Sequence, residues 1–445
     1  MQTSAPVAGA IDFGTDRELR KISVAGYVGS AIEFYDFFIY GTAAALVFPT
    51  VFFPDLGHTM AITASLGTFA AAFVARPVGA AVFGHFGDRI SRKQMLVATL
   101  MLMGVATVGV GLIPSTASIG IAAPLLLLTM RLVQGFAVGG EWAGAVLMSA
   151  ENAPARRRGF YGMFTQLGLG TSLVMSNLVF LAVHVAVGDG TPAFMQWGWR
   201  IPFLLSGVLI VAALVIRLSI KDDAVDAGSS SRSAHSGIPL VALLRRQGGT
   251  VLLAAGAAMC APMLVFQAGT FITHYAADHM EYSTNVVLLN NVVGGICAIG
   301  CAALTAILSD TRGRRRVMLI GLSLAAPWSF VVIPLIETNN EVVFALAVVI
   351  TYALIGTCMG PLAAFVPEVF AGEYRYTAAA LAHTGGAIIG GALPPVVSPV
   401  LMDTFGGWVV AVMMGGLAVI SLLCAAALPE TLPRLTAPGD HSPVN

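Results

Sequence analysis

Twelve long apolar runs constrain this chain more than any other feature. They lie near residues 22–48, 60–83, 94–113, 121–149, 159–187 and 199–219, then near 249–276, 284–308, 317–336, 342–366, 376–401 and 408–428. A helix needs about 20 apolar residues to cross the hydrocarbon core of a bilayer, whereas a barrel strand shows about 10 residues of alternating character. Runs this long and unbroken predict helices. Of the 445 residues 57% are hydrophobic and only 10% charged, against about 25% charged in a soluble domain. Such a chain cannot cover a water-facing surface. The expected fold class is an all-α membrane protein of twelve transmembrane helices, with the lipid bilayer as its solvent. A formal net charge of zero offers no electrostatic footprint for nucleic acid.

Arginine and lysine orient the spans. Arg17, Arg20 and Lys21 precede span one, and Arg89, Arg92 and Lys93 separate spans two and three. Arg156, Arg157 and Arg158 follow span four, Arg245 and Arg246 lie in the central loop, and Arg312, Arg314, Arg315 and Arg316 follow span eight. The opposite loops are nearly free of basic residues, Arg200 excepted, and carry Asp55, Asp278, Glu337 and Asp403. The positive-inside rule then places both termini in the cytoplasm of a multi-pass plasma-membrane protein. No cleavable signal is expected ahead of the first span. The central loop, "KDDAVDAGSSSRSAHSG", reads as a flexible linker. The expected organisation is a six-helix bundle over 1–219, a linker over 220–247, a second six-helix bundle over 248–430 and a short tail over 431–445.

Inside the apolar runs stand charges that a membrane tolerates only when they are paired or face water: Glu33, Asp36, Arg76, Arg131 and Glu141. A charge at the bilayer centre costs about 2.5 kcal/mol or more, and such residues mark ion and substrate pathways. All five lie in the first half of the chain. At a rise of about 1.5 Å per residue, Asp36 and Arg131 fall near the midplane, and Glu33, Arg76 and Glu141 form a layer closer to the cytoplasm. Glu33 and Asp36, three apart, share a helix face. Asp36 is the expected proton carrier with Arg131 as its switch partner; Glu33 is the rival carrier, coupled to it. A static salt-bridge cluster that fixes packing is the competing interpretation.

The loop "GHFGDRISRKQML" after span two is matched by "AILSDTRGRRRVML" after span eight, Asp310 lying 222 residues after Asp88. Two parallel halves of this kind are built by rocking transporters, with the substrate site between the halves. These loops resemble the two cytoplasmic signatures of the major facilitator superfamily. "GSAIEFYDFFIYGTAAAL", "ARPVGAAVFGHFGDR", "RLVQGFAVGGEWAGAV", "GWRIPFLLSG" and "PETL" narrow the resemblance to its metabolite:proton symporter branch. Ser91 departs from the signature, which has Gly at that point.

The resemblance implies the major facilitator fold and a gate. Asp88 would cap span three, Arg92 and Lys93 would reach acids such as Glu151, and Asp310, Arg314 and Glu368 would repeat the device in the second half. It also implies substrate contacts from Tyr40, Gln166 and Gln267, to which Arg131, Arg76 and Glu141 are added as buried charges. His274 and His383 are further proton sites or packing residues. The five cysteines lie in apolar spans and read as small buried hydrophobes. There is no phosphate-binding Gly-rich loop and no recognisable metal-ligand spacing, so neither an enzyme, a metal nor a cofactor is expected. The expected function is proton-coupled uptake of a small organic acid or related metabolite by a monomer. Proton-coupled efflux by antiport and proline or betaine symport are the alternatives.

Overall fold

The computed structural model describes residues 16–87, 92–139, 153–154, 157–188, 191–219, 239–370 and 375–432. Among the sequence expectations, Asp88, Glu141 and Glu151 lie outside the described residues, as do the side chains of Arg92 and Lys93.

Twelve helical stretches follow the twelve apolar runs. The first six are α1 (Asp16–Leu46), α2 (His58–Gly87), α3 (Arg92–Leu112), α4 (Ala122–Val138), α5 (Arg158–Val187) and α6 (Ile201–Ser219). Then come α7, built of four consecutive pieces between Pro239 and Asp278, α8 (Thr284–Arg312), α9 (Arg314–Ile336) and α10 (Glu341–Glu368). Last are α11, built of three pieces between Arg375 and Phe405, and α12 (Gly407–Ala427). No strand occurs among the described residues.

Helix α7 starts at Pro239, inside the expected linker, and breaks at Gln247, whose φ is −130°. The apolar "PLVALL" ahead of Arg245 supplies the helical lead-in, and proline at a first turn loses no hydrogen bond. Helices α7 and α11 each contain a π-helical turn, Gln267–Ile272 and Ala387–Ala392. In α11 this turn stands directly before Pro394 and Pro395. A wider turn is one way for the chain to absorb the backbone bonds that proline cannot make.

Small residues set the helix crossings. A Cβ on Gly135 or Gly139 of α4 would land on the backbone of Ala72 or Arg76 in α2, and one on Gly79 would land on Phe136. The same arrangement recurs 221 residues on, where Gly356 and Gly360 of α10 lie against Ala298 and Ala302 of α8. Lipid gives helices no hydrophobic reason to associate, so close backbone approach through small residues supplies the packing. The crossing of α2 and α4 brings Arg76 and Arg131 to the same ring, Phe37 of α1.

Candidate functional site

Arg131 and Asp36 are 0% and 2% exposed, yet no ion pair joins them. A chain of hydrogen bonds does. Arg131 Nη1 donates to Gln134 Oε1 (3.1 Å), Gln134 Nε2 donates to Thr107 Oγ1 (2.6 Å), and Thr107 lies 2.8 Å from Asp36 Oδ2. The Thr107 hydroxyl is also 2.9 Å from the Met103 carbonyl, so its single proton has two acceptors to choose between.

Aromatic rings take the place expected for the acid. The Arg131 guanidinium lies 4.1 Å from the ring centroids of both Phe37 and Tyr40 and 4.9 Å from that of Phe69. A desolvated cation–π contact is worth about 2 kcal/mol, so these rings match in magnitude the cost of placing a cation in the membrane. Arg76 uses the same cluster, 4.5 Å from Phe37 and 4.6 Å from Phe73. Phe266 of α7 closes the cluster from the second half of the chain, 5.1 Å from Phe69 and 5.5 Å from Phe73. The sequence reading missed these phenylalanines because, among so many apolar residues, nothing marks a ring that faces a cation.

Glu33 has different surroundings from Asp36. Together with Phe34, Arg76, Val138, Gly139, Ala380, His383 and Thr384 it lines a void of about 20 Å³ where α1, α2 and α4 meet α11. That is room for about one water molecule. The expected substrate residues are also deep. Tyr40 donates to Thr68 Oγ1 (2.7 Å), and Gln267 donates from Nε2 to Ser398 Oγ (2.9 Å), leaving its Oε1 without a partner. Gln166 is 3% exposed, and its Nε2 has no partner. Buried polar atoms are nearly always satisfied by protein or ordered water, so these two amides retain unused hydrogen-bonding capacity. A second polar network, absent from the sequence expectations as a unit, joins α5, α7, α8 and α10. Asn291 donates to Asn177 (3.3 Å) and Thr273 (2.9 Å) and accepts from Tyr352 (3.4 Å).

At the basic end, contacts cross between the halves of the chain. Asp310 accepts from the backbone N–H groups of Gly159 and Phe160, each at 2.8 Å, and so caps the start of α5. Its repeat counterpart Asp88 was expected to cap the span that follows its own loop; for Asp310 that would be α9. Glu430, from the "PETL" motif, holds that position instead. Its carboxylate accepts from the N–H groups of Arg314 (2.8 Å), Arg315 and Arg316 (3.3 Å each). Gly313, at φ +103°, leads into α9, and a Cβ there would lie 2.6 Å from the Glu430 carboxylate. Burial would raise the Glu430 carboxyl, but the N–H groups of Leu432, Arg315, Arg316 and Arg314 outweigh it and hold it below the usual glutamate value. Glu368 forms ion pairs with Arg314 and, at 3.3 Å, with Arg158 of α5. Arg158 carried no signal beyond the positive-inside pattern, because its partner is 210 residues away.

The opposite end is also bridged. Thr59 donates to Asp403 (3.2 Å), and His274 Nδ1 lies 2.7 Å from the Ala45 carbonyl oxygen. His58, His274 and Asp278 converge there as a group of metal-capable side chains. No local pattern marks this group, since His58 and His274 are brought together only by the fold.

A family model described as Major Facilitator Superfamily matches residues 27–395. The chain belongs to the major facilitator superfamily. It is 38% identical over 417 residues to the inner membrane metabolite transport protein YhjE of Escherichia coli, covering 92% of this chain and 94% of that protein. It is 33% identical to the shikimate transporter of Escherichia coli, covering 87% and 89%. In structure it resembles the xylose transporter XylE of Escherichia coli in a partially occluded inward-open conformation. The TM-score is 0.71 at 17% identity, covering 94% of this chain and 99% of that one; this likeness shows the fold. The chain is thus a multi-pass membrane transporter and not an enzyme, as the apolar runs and repeated loops implied.

Proposed function

We propose that this chain is a proton-coupled symporter that takes up a small organic acid by alternating access, in the inner membrane with both termini in the cytoplasm. One observation carries the reading: a buried Asp36 connected through Thr107 and Gln134 to an Arg131 whose charge is met by rings and not by an acid. This leaves Asp36 able to hold a proton without stranding a bare cation. With Asp36 ionised, Thr107 donates to it. With Asp36 protonated, its O–H donates to Thr107 Oγ1 and Thr107 turns its hydrogen to the Met103 carbonyl; Gln134 Nε2 then competes for that oxygen, which loosens Gln134 and Arg131 to meet an incoming anion. A guanidinium pairs with a carboxylate through two parallel bonds, so Arg131 and Arg76 favour a carboxylate substrate, with Gln166 and Gln267 supplying neutral contacts. The name of one relative, a shikimate transporter, agrees with this substrate class.

Asp310, Arg314, Glu368 and Arg158 act in this scheme as the cytoplasmic gate, with Asp88, Arg92, Lys93 and Glu151 as its first-half counterpart. The test uses proteoliposomes with an imposed proton gradient and a panel of carboxylates that includes shikimate. A transported acid should move protons inward with it. Asp36→Asn should abolish gradient-driven accumulation while leaving counterflow exchange partly intact. Uptake to the same level with the gradient collapsed, or protons moving against the solute, would overturn the proposal.

A further inference from the structure

Three side chains meet at the end opposite the basic loops. His58 opens α2, and His274 and Asp278 stand one turn apart at the end of α7. His58 Nε2 is 3.0 Å and His274 Nε2 3.9 Å from Asp278 Oδ2. One donor atom from each residue lies within 4.8 Å of the other two.

The bland account is an exposed histidine–aspartate contact, worth about 0–1 kcal/mol. It does not explain His274, which is only 8% exposed and fixed by its other nitrogen. His274 Nδ1 lies against the Ala45 carbonyl oxygen. A carbonyl accepts only from an N–H, so Nδ1 carries a proton and Nε2 is the nitrogen turned toward Asp278; in the neutral ring its lone pair is the one offered to a metal. Metal-binding imidazoles are oriented in this way by a backbone carbonyl behind them. The side chains of His58 and Asp278, 67% and 42% exposed, give an ion a way in from water.

We propose that His58, His274 and Asp278 form a zinc site that clamps α2 to α7. Two imidazoles and a carboxylate are donors that zinc binds at about 2.0–2.2 Å, with a fourth, open position for water. Tetrahedral bonding at these lengths needs donors about 3.3 Å apart; His58 Nε2 and Asp278 Oδ2, at 3.0 Å, already stand near that spacing, and His274 Nε2, at 3.9 Å from the same oxygen, has to close in by only about half an ångström. His58 belongs to the first half of the chain and the other two ligands to the second. Zinc therefore stabilises the state in which this end is shut. The binding claim stands apart from the transport reading. Only the consequence, that zinc slows the cycle, rests on alternating access.

The test uses the full-length protein, free of affinity tags and stripped of metal, titrated with zinc chloride. One zinc per chain is expected, with an X-ray absorption shell of nitrogen and oxygen near 2.0–2.1 Å. His58→Ala and Asp278→Asn change exposed side chains. Each should weaken binding at least about tenfold, while the melting temperature without zinc stays at the wild-type value. Zinc should also increase protection from hydrogen exchange at the start of α2 and the end of α7 in the wild type and not in His58→Ala. The site is overturned if wild type and both variants bind zinc equally, or if none binds it at micromolar concentration. A sulfur shell near 2.3 Å also overturns it, because it would place the metal on cysteines. Unchanged protection in the zinc-bound wild type overturns the clamp.

Discussion

Arg131, in the middle of α4, is surrounded by Phe37, Tyr40 and Phe69, whereas Arg314, at the start of α9, is held by Asp310 and Glu368. Both side chains are fully buried, yet they are neutralised differently. Rings do not titrate, so the charge on Arg131 is tolerated while Asp36 stays available to a proton. Carboxylates can be traded. Glu368 already divides itself between Arg314 of its own half and Arg158 of the other, an arrangement that can open at one side and persist at the other. In this chain a fixed aromatic environment accompanies the proposed proton site, and a breakable ionic one accompanies the proposed gate.

The contrast can be broken most severely at Glu368. Glu368→Gln removes one of the two carboxylates beside a fully buried arginine; losing the sole partner of a buried charge costs about 3–5 kcal/mol, and Asp310, which stays, holds the loss to the lower end of that range. A clear drop in the midpoint of chemical unfolding in detergent is expected, together with faster labelling of a cysteine introduced at the basic end. An unchanged midpoint would show that the pair is not holding that end together. A smaller effect is expected from Phe37→Leu, which keeps an apolar side chain but withdraws a ring from both Arg131 and Arg76. It should cost about 2 kcal/mol, the worth of a desolvated cation–π contact, by the same measurement. Phe37→Trp should retain most of that stability if it folds. Equal losses in the two variants would mean that shape, not the ring face, matters there.

The smallest effect is expected at Glu430. Glu430→Gln weakens the cap on α9 and should cost about 1 kcal/mol at neutral pH. The folded carboxyl is held below the usual glutamate value, so its contribution is complete above that usual value. It is lost as the pH falls through the lowered one. The difference in melting temperature between wild type and Glu430→Gln should therefore persist at neutral pH and shrink in acid. A difference that grows in acid would contradict the assignment.

Much of this architecture was legible in advance because its signals are local. Twelve apolar runs forecast twelve helical stretches, and the basic loop after span eight forecast that Asp310 and Arg314 lie at the junction of α8 and α9. Gly135 and Gly139 stand four apart, a local spacing that puts both on the helix face packed against α2. The misplacements share one cause. Asp36 and Arg131 were expected to touch because opposite charges at equal depth attract, but depth along a helix says nothing about which way a side chain points. Arg158, Glu430 and His58 were passed over because each acts on residues more than a hundred positions away.

The order of residues is enough to imply that this chain crosses a membrane as helices, because hydrocarbon leaves a backbone few other ways to satisfy its polar groups. Which partners neutralise the buried charges is settled only when the helices pack. That choice depends on helix rotation and on crossings set by glycine contacts, and a mixture of rings, amides and carboxylates can fill the same volume with very different chemistry.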